Sequence, residues 1–190
     1  MKKAISILSS GGIVAYPTET FFGLGVDAFN TNALMKLSQL KGRPEGAPFP
    51  LLIPNLELLE EHVKDFPALA KKWIKEFWPG PLTIVLLAPQ FPISLQGRNG
   101  GVGFRMSKHP IAQEIVSTFG QFITTTSANR SGTPPASTVE EVKQEFPEIY
   151  IVKGEKPSGG KPSTVVDFTQ GKTPVIVREG AILKSKLGLS

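Results

Sequence analysis

Short apolar runs alternate with polar or glycine-rich breaks along this chain, and the breaks fall where strands and helices must stop. Ile13-Val14-Ala15-Tyr16 is an unbroken apolar run closed by Pro17, which predicts a buried strand with Thr18 and Thr20 just past its carboxyl end. Ahead of it, residues 2–10 predict a helix ended by Gly11-Gly12. Gly23-Leu24-Gly25-Val26-Asp27-Ala28 has the outline of a dinucleotide-binding fingerprint. Thr18 to Phe22 separate it from the strand that such a turn should follow directly, so it reads as a turn and not a cofactor site. Asn30 to Asn32 can cap a helix that carries Leu34, Leu37 and Leu40 on one face and ends at Gly42-Arg43-Pro44.

After a mobile loop at residues 45–50, Leu51-Leu52-Ile53 predicts a short strand, and Asn55 caps an acidic helix running to Val63. Residues 68–77 predict a further helix with Leu69, Trp73 and Phe77 along one side, and Trp78-Pro79-Gly80-Pro81 turns the chain into the strand 82–87. The Gly/Pro-rich stretch 89–101, which holds Arg98, has the length of a lid or binding loop. Strands follow at 102–106 and 122–124, on either side of a helix that Pro110 opens and that runs to Phe119. Thr138-Val139-Glu140-Glu141 is a capping-box pattern for a helix to Phe146, and strands at 150–152, 164–168 and 175–177 close the chain. Residues 154–162 resemble a phosphate-binding P-loop at a glance. Proline follows Lys161 and a strand comes next, where that loop requires Ser or Thr opening a helix.

Composition narrows the chemistry. The chain has 190 residues of which 40% are hydrophobic, enough for one domain, 1–190, with a sizeable core. No apolar run reaches the length of a membrane span and the N-terminal apolar stretch is too short for a signal peptide, so a soluble, cytoplasmic protein is expected. Zero cysteines exclude disulfides and thiolate nucleophiles, and two isolated histidines argue against a zinc or Ser-His-Asp centre. Lys and Arg number 21 against 16 Asp and Glu, and the net charge of +5 favours anionic partners such as nucleotides or RNA. Arginine occurs at only five positions, 43, 98, 105, 130 and 178, most of them beside polar clusters or glycines.

The densest polar cluster is Thr124-Thr125-Thr126-Ser127-Ala128-Asn129-Arg130-Ser131-Gly132, directly behind the apolar Phe122-Ile123. It is either a hydroxyl-rich turn or the wall of a site. Lys41 and Arg43, in an exposed bend after a helix, either complement the helix dipole or face phosphate oxygens. Arg105 either flanks the polar centre or lies on a solvated strand face. Taken by strand ends, Thr18, Thr20, Lys41, Arg43, Arg105, Ser127, Asn129, Thr164 and Arg178 can line one cavity rich in donors and poor in general bases. Such a site suits phosphoryl or nucleotidyl transfer, where position and charge neutralisation do the work.

Seven segments occur in an order that resembles the YrdC-type threonylcarbamoyl-AMP synthase family over nearly the whole chain. They are Tyr16-Pro17-Thr18-Glu19-Thr20 with Gly23-Leu24-Gly25, Lys41-Gly42-Arg43-Pro44, Trp78-Pro79-Gly80-Pro81-Leu82-Thr83, Gly103-Phe104-Arg105, residues 126–132, Ser163-Thr164-Val165-Val166-Asp167 and Val177-Arg178-Glu179-Gly180. The resemblance implies an α/β fold, a single domain with a twisted mixed sheet flanked by helices around a deep basic cavity. It further implies synthesis of threonylcarbamoyl-AMP and pyrophosphate from L-threonine, bicarbonate and ATP, the ATP carrying Mg2+. The family's tetrad falls on Lys41, Arg43, Ser127 and Asn129, with Lys41 and Arg43 as catalytic residues that stabilise charge at the α-phosphate. By the same resemblance Arg178 joins these four in binding ATP, while Thr20, Arg105 and Thr164 bind threonine.

The product would pass to downstream tRNA threonylcarbamoyl-transfer enzymes, with weak direct tRNA binding and no membrane role. By the same resemblance Ala47 stands where many relatives carry a polar residue that contacts the nucleotide, and Pro135 where some carry a serine. Ending at Ser190, the chain is expected to lack the extra C-terminal domain of longer members. Two other readings are a non-catalytic RNA-binding module and a carbamoyl-transferring relative.

Overall fold

In the computed structural model, Val14–Pro17 forms β1, buried at all four positions, and the chain turns back through residues 18–21 into β2, Phe22–Gly25, paired antiparallel with it. The stretch expected as a turn is therefore a strand, and the ring of Tyr16 explains its glycines. A Cβ on Gly25 would stand 2.7 Å from Tyr16 Cε1, and one on Gly23 would stand 3.3 Å from the other ring edge. The glycines are there for close approach and not for a bend. The structure describes residues 1–44, 46–171 and 173–189, with the side chain of Arg98 also excepted. Of the mobile loop expected at residues 45–50, Glu45 lies outside the described residues, as does any role for the Arg98 side chain.

β1 also pairs in parallel with β8 (Tyr150–Ile151), and β2 pairs antiparallel with β7 (Thr126–Ser127), which makes a four-stranded sheet in the order β7-β2-β1-β8. A second, six-stranded sheet contains β10 (Val175–Arg178), β9 (Thr164–Asp167), β4 (Leu82–Leu87), β5 (Gly101–Arg105), β3 (Leu51–Leu52) and β6 (Ile123–Thr124), in that order. Both sheets mix parallel and antiparallel pairs. An antiparallel bridge between Asp27 and Ile123 links the chain beyond β2 to the second sheet.

Among the described residues six α-helices cover the sheets: α1 (Lys2–Ser9), α2 (Thr31–Lys41), α3 (Leu56–His62), α4 (Ala68–Phe77), α5 (Pro110–Phe119) and α6 (Val139–Glu145). Several of their starts are set by side-chain caps. Asn30 Oδ1 accepts from Ala33 N at 3.0 Å, Asn55 Oδ1 accepts from Leu58 N at 2.8 Å, and Thr138 with Glu141 forms a reciprocal capping box. Gly42, at φ 57°, stops α2 in the left-handed region that glycine adopts without strain.

Strand alternation divides the core in two. Val14 and Tyr16 of β1 face a cluster with Leu8 of α1 and with Ile115 and Val116 of α5. Ala15, between them, faces the larger core of Leu24, Leu37, Trp73, Phe104, Phe122 and Val166. The stretch 89–101 is anchored on that core, because Phe91 packs 5.0 Å from the Phe122 ring and 5.5 Å from the Phe104 ring, and Gly97 N donates to Gly101 O at 2.8 Å. Among the described residues no helix is long and apolar enough to cross a membrane.

Candidate active site

A cavity opens where the two sheets come together. Its walls include Thr18, Thr20, Arg43, Arg105, Thr125, Thr126, Ser127, Ser163 and Arg178. One end is built by the β1–β2 turn. Thr18 Oγ1 accepts from the backbone N–H of Thr20 at 3.2 Å and of Phe21 at 3.3 Å, which folds the turn and holds the Thr18 and Thr20 hydroxyls 3.1 Å apart. Arg105, at the end of β5, is 5% exposed and reaches the same turn, with Nη2 3.5 Å from Thr20 Oγ1 and Nε donating to Gly80 O at 3.3 Å.

Arg105 is not an uncompensated charge. Glu19 Oε1 lies 2.8 Å from its Nη2, and Ser107 Oγ donates to Glu19 Oε2 at 2.5 Å. Burial alone would raise the Glu19 pKa; the Arg105 charge and the Ser107 and Arg105 hydrogen bonds outweigh it and hold the carboxyl below its usual range. Glu19 itself is not part of the cavity wall, and among the described residues no Asp, Glu or His is.

The opposite side carries two more guanidiniums. Arg43 Nε donates to Ala47 O at 2.8 Å and Nη2 to Pro48 O at 2.6 Å, with the Phe49 ring 4.6 Å from the guanidinium carbon. Arg178, at the end of β10, clasps Ser163, donating from Nε and Nη2 to its carbonyl at 3.1 and 2.9 Å and from Nη2 to its hydroxyl at 3.1 Å. Burial first, then Arg178, lowers the pKa of Arg43; burial first, then Arg105, lowers that of Arg178. Three guanidiniums thus line one cavity, an arrangement that favours anions.

Lys41 differs from its expected place. It is 3% exposed, not in an exposed bend, and its ammonium donates to the backbone carbonyls of Ser127 and Asn129, both at 2.6 Å. Burial first, then the Arg43 charge, pulls its pKa down from 10.5 to about 8, partly opposed by Glu145. Asn129 likewise turns inward on its own loop. Its amide nitrogen donates to the carbonyls of Arg130 and Thr133 at 2.9 and 2.6 Å, and its oxygen receives the Ser127 hydroxyl at 2.5 Å. Lys41 and Asn129 thus shape the arm that carries Ser127 without joining the cavity wall. Arg130 faces outward, 3.5 Å from Glu145.

Thr164 is turned away from the cavity altogether. Fully buried, its hydroxyl donates to Ile182 O at 2.6 Å and accepts from the N–H groups of Gly180 and Ile182, both at 3.0 Å. All its bonding capacity is spent on pinning residues 180–182 to the start of β9, and that close approach requires Gly180, whose Cβ would lie 2.1 Å from Pro162 O. Strand alternation gives the reason. Neighbours on an extended chain face opposite sides, so Ser163, not Thr164, points into the cavity. Of the residues singled out from sequence, Thr18, Thr20, Arg43, Arg105, Ser127 and Arg178 are brought together, while Lys41, Asn129 and Thr164 act behind the wall. Sequence reasoning missed Ser163, Glu19 and Ser107, although Ser163 and Glu19 sit inside segments already marked.

The Sua5/YciO/YrdC family model, described as telomere recombination, matches residues 6–180. The chain is 36% identical over 182 residues to the threonylcarbamoyl-AMP synthase of Pyrococcus abyssi, a match that covers 94% of this chain and 53% of that protein. It is 35% identical over 173 residues to the threonylcarbamoyl-AMP synthase of Shigella flexneri, covering 89% of this chain and 91% of that one. The crystal structure of P. abyssi Sua5 complexed with L-threonine superposes with a TM-score of 0.92 at 34% identity, over 98% of this chain and 55% of that one. The chain therefore spans about half the length of its archaeal relative and most of the length of its bacterial one.

Proposed function

The chain belongs to the Sua5/YciO/YrdC family, and from that membership we propose that it is an L-threonylcarbamoyladenylate synthase. The amine of L-threonine takes up bicarbonate with loss of water to give a carbamate. A carbamate oxygen then attacks the α-phosphorus of ATP, the bond to the β-phosphate oxygen breaks, and pyrophosphate leaves. The observation that carries this reading is the convergence of Arg43, Arg105 and Arg178 with threonine and serine hydroxyls in one cavity whose wall, among the described residues, has no carboxylate. Both the substrate carboxylate and the phosphates supply the missing negative charge.

In this reading Arg105 takes the amino-acid carboxylate, Thr20 its hydroxyl, and Arg43 and Arg178 the phosphates. Because the nucleophile comes from the substrates, the protein needs no side chain as a covalent carrier; it orients the two anions and neutralises the charge that builds at phosphorus. Lys41 and Asn129 serve by fixing Ser127 at the cavity edge. Mg2+ would enter with ATP, held largely by its phosphates and by water. The protein works in the cytoplasm, and its product, a mixed anhydride, goes to tRNA threonylcarbamoyl-transfer enzymes, with direct tRNA binding weak and salt-sensitive.

The test is to incubate the pure protein with ATP, Mg2+, bicarbonate and L-threonine and to measure pyrophosphate. Release that requires both threonine and bicarbonate supports the reading; its absence, or release indifferent to threonine, overturns it.

A further inference from the structure

Behind Ser163 lies a hydroxyl with no role so far. Thr83, on β4, is 2% exposed, and its Oγ1 stands 3.0 Å from Ser163 Oγ, its one hydrogen-bond partner among the described residues. The direction of that bond follows from counting donors. A buried hydroxyl hydrogen without an acceptor is costly, so Thr83 donates to Ser163. Ser163 Oγ already accepts from Arg178 Nη2 at 3.1 Å. A hydroxyl has two acceptor positions and one hydrogen. With both acceptor positions filled, by Thr83 and by Arg178, the Ser163 hydrogen is left for the remaining direction, and Ser163 lines the cavity.

We propose that Thr83 is a positioning residue that sets the Ser163 hydroxyl as a fixed donor into the cavity, aimed at an anionic oxygen of the amino-acid substrate. The identity of that substrate rests on the function proposed above. Ser163 then takes the part that Thr164 cannot take, and Arg178 strengthens it as a donor by bonding to its oxygen. Thr83→Val keeps the shape of the side chain and the β-branch but removes the donor. The Ser163 hydrogen is then free to rotate, and the vacated acceptor position no longer dictates where it points. Thr83→Ser keeps the hydroxyl.

The experiment compares wild type, Thr83→Val and Thr83→Ser as full chains, by steady-state pyrophosphate release with threonine and ATP varied in turn, and by thermal melting. Thr83→Val should lose about tenfold or more in kcat/KM for threonine, the effect of one charge-assisted hydrogen bond, with the KM for ATP unchanged and with Thr83→Ser restoring the loss. A purely structural hydroxyl would lower the melting temperature and affect both substrates alike. Any outcome other than a threonine-selective loss that serine rescues overturns the proposal. Should the wild type release no pyrophosphate, the proposed function fails by itself, and the same comparison is then made on threonine affinity by calorimetry. Unchanged affinity in Thr83→Val, or no threonine binding in the wild type, overturns the positioning role.

Discussion

Glu19 holds Arg105: the carboxylate oxygen lies 2.8 Å from Nη2, and Ser107 locks the other oxygen from behind. The guanidinium that the substrate carboxylate would meet is thus already half neutralised and cannot swing. Glu19→Ala should cost about 3 kcal/mol of stability, the low end for breaking a buried pair, because Glu19 keeps 15% of its side-chain exposure. Glu19→Gln should cost less and still raise the KM for threonine. The carboxyl pKa is lowered on folding, so its stabilisation is complete above the unfolded value of about 4.3 and is lost as pH falls through the lower folded one. Denaturant titration of wild type and Glu19→Gln from neutral to acid pH checks this; a gap between them that closes already above pH 5 would contradict it.

Lys41 yields the opposite sign. Its pKa falls to about 8 in the folded chain, against about 10.4 for an unfolded lysine. Between those values the unfolded chain holds a proton that the folded chain has released, so stability attributable to Lys41 rises with pH across that window and is flat below it. Relative to Lys41→Met, the wild type should gain on going from pH 7 to pH 10. A constant difference would mean that the Ser127 and Asn129 carbonyls keep the ammonium protonated throughout.

The same lysine gives a second expectation at neutral pH. Removing it strands two carbonyls and frees the arm that bears Ser127, so Lys41→Ala should lower turnover by about a hundredfold and also lower the melting temperature. Arg43→Ala, at a half-buried side chain on the cavity wall, should lower turnover by a similar factor with a smaller change in melting. Equal melting temperatures for Lys41→Ala and wild type would show that Lys41 does not hold the arm that carries Ser127.

Thr164→Val should act on stability before it acts on chemistry. Valine keeps the volume but leaves Ile182 O without its donor and the N–H groups of Gly180 and Ile182 without their acceptor, at a cost of about 1 to 3 kcal/mol. Arg178 is carried by the same segment, so the KM for ATP should rise while the preference for threonine over valine as substrate stays as it was. A collapse of that preference would show that Thr164 touches the amino acid after all.

Amino-acid choice should instead respond to Thr20, whose hydroxyl faces the cavity beside Thr18 and Arg105. In the wild type, serine, which lacks only a methyl, should trail threonine by about 1 to 3 kcal/mol, whereas valine leaves buried hydroxyls unpaired and should be rejected by as much as about 10⁴. Thr20→Val should erase most of the discrimination against valine. Pyrophosphate release with each amino acid at matched concentration reads this directly, and an unchanged threonine-to-valine ratio in Thr20→Val would remove Thr20 from that role.

Local signals made much of the fold legible. The Asn30 and Asn55 caps, the Thr138–Glu141 box and the apolar run of β4 each declare themselves within a few residues. What stayed hidden was long-range. Gly23 and Gly25 look like a turn until the Tyr16 ring is laid against them, and β7 is too short to show any period before β2 pairs with it. The site divides in the same way. The polar residues cluster visibly at strand ends, yet which member of the Ser163-Thr164 pair faces inward depends on the pleat of β9 and on the packing of residues 180–182. Glu19 went unassigned because its partner is brought to it by β5, from the other sheet.

Since the wall draws Thr18, Thr20 and Ser127 from the edge of one sheet and Arg105, Ser163 and Arg178 from the other, a molecule seated between them acts as a strut across a seam. Each sheet on its own touches only part of the ligand. Whatever free energy binding supplies is therefore shared by both, and a partial opening that parts the sheets must forfeit all of it. The loaded protein should for that reason exchange amide hydrogens more slowly in β1 and β9 together, as one cooperative body, than it does empty.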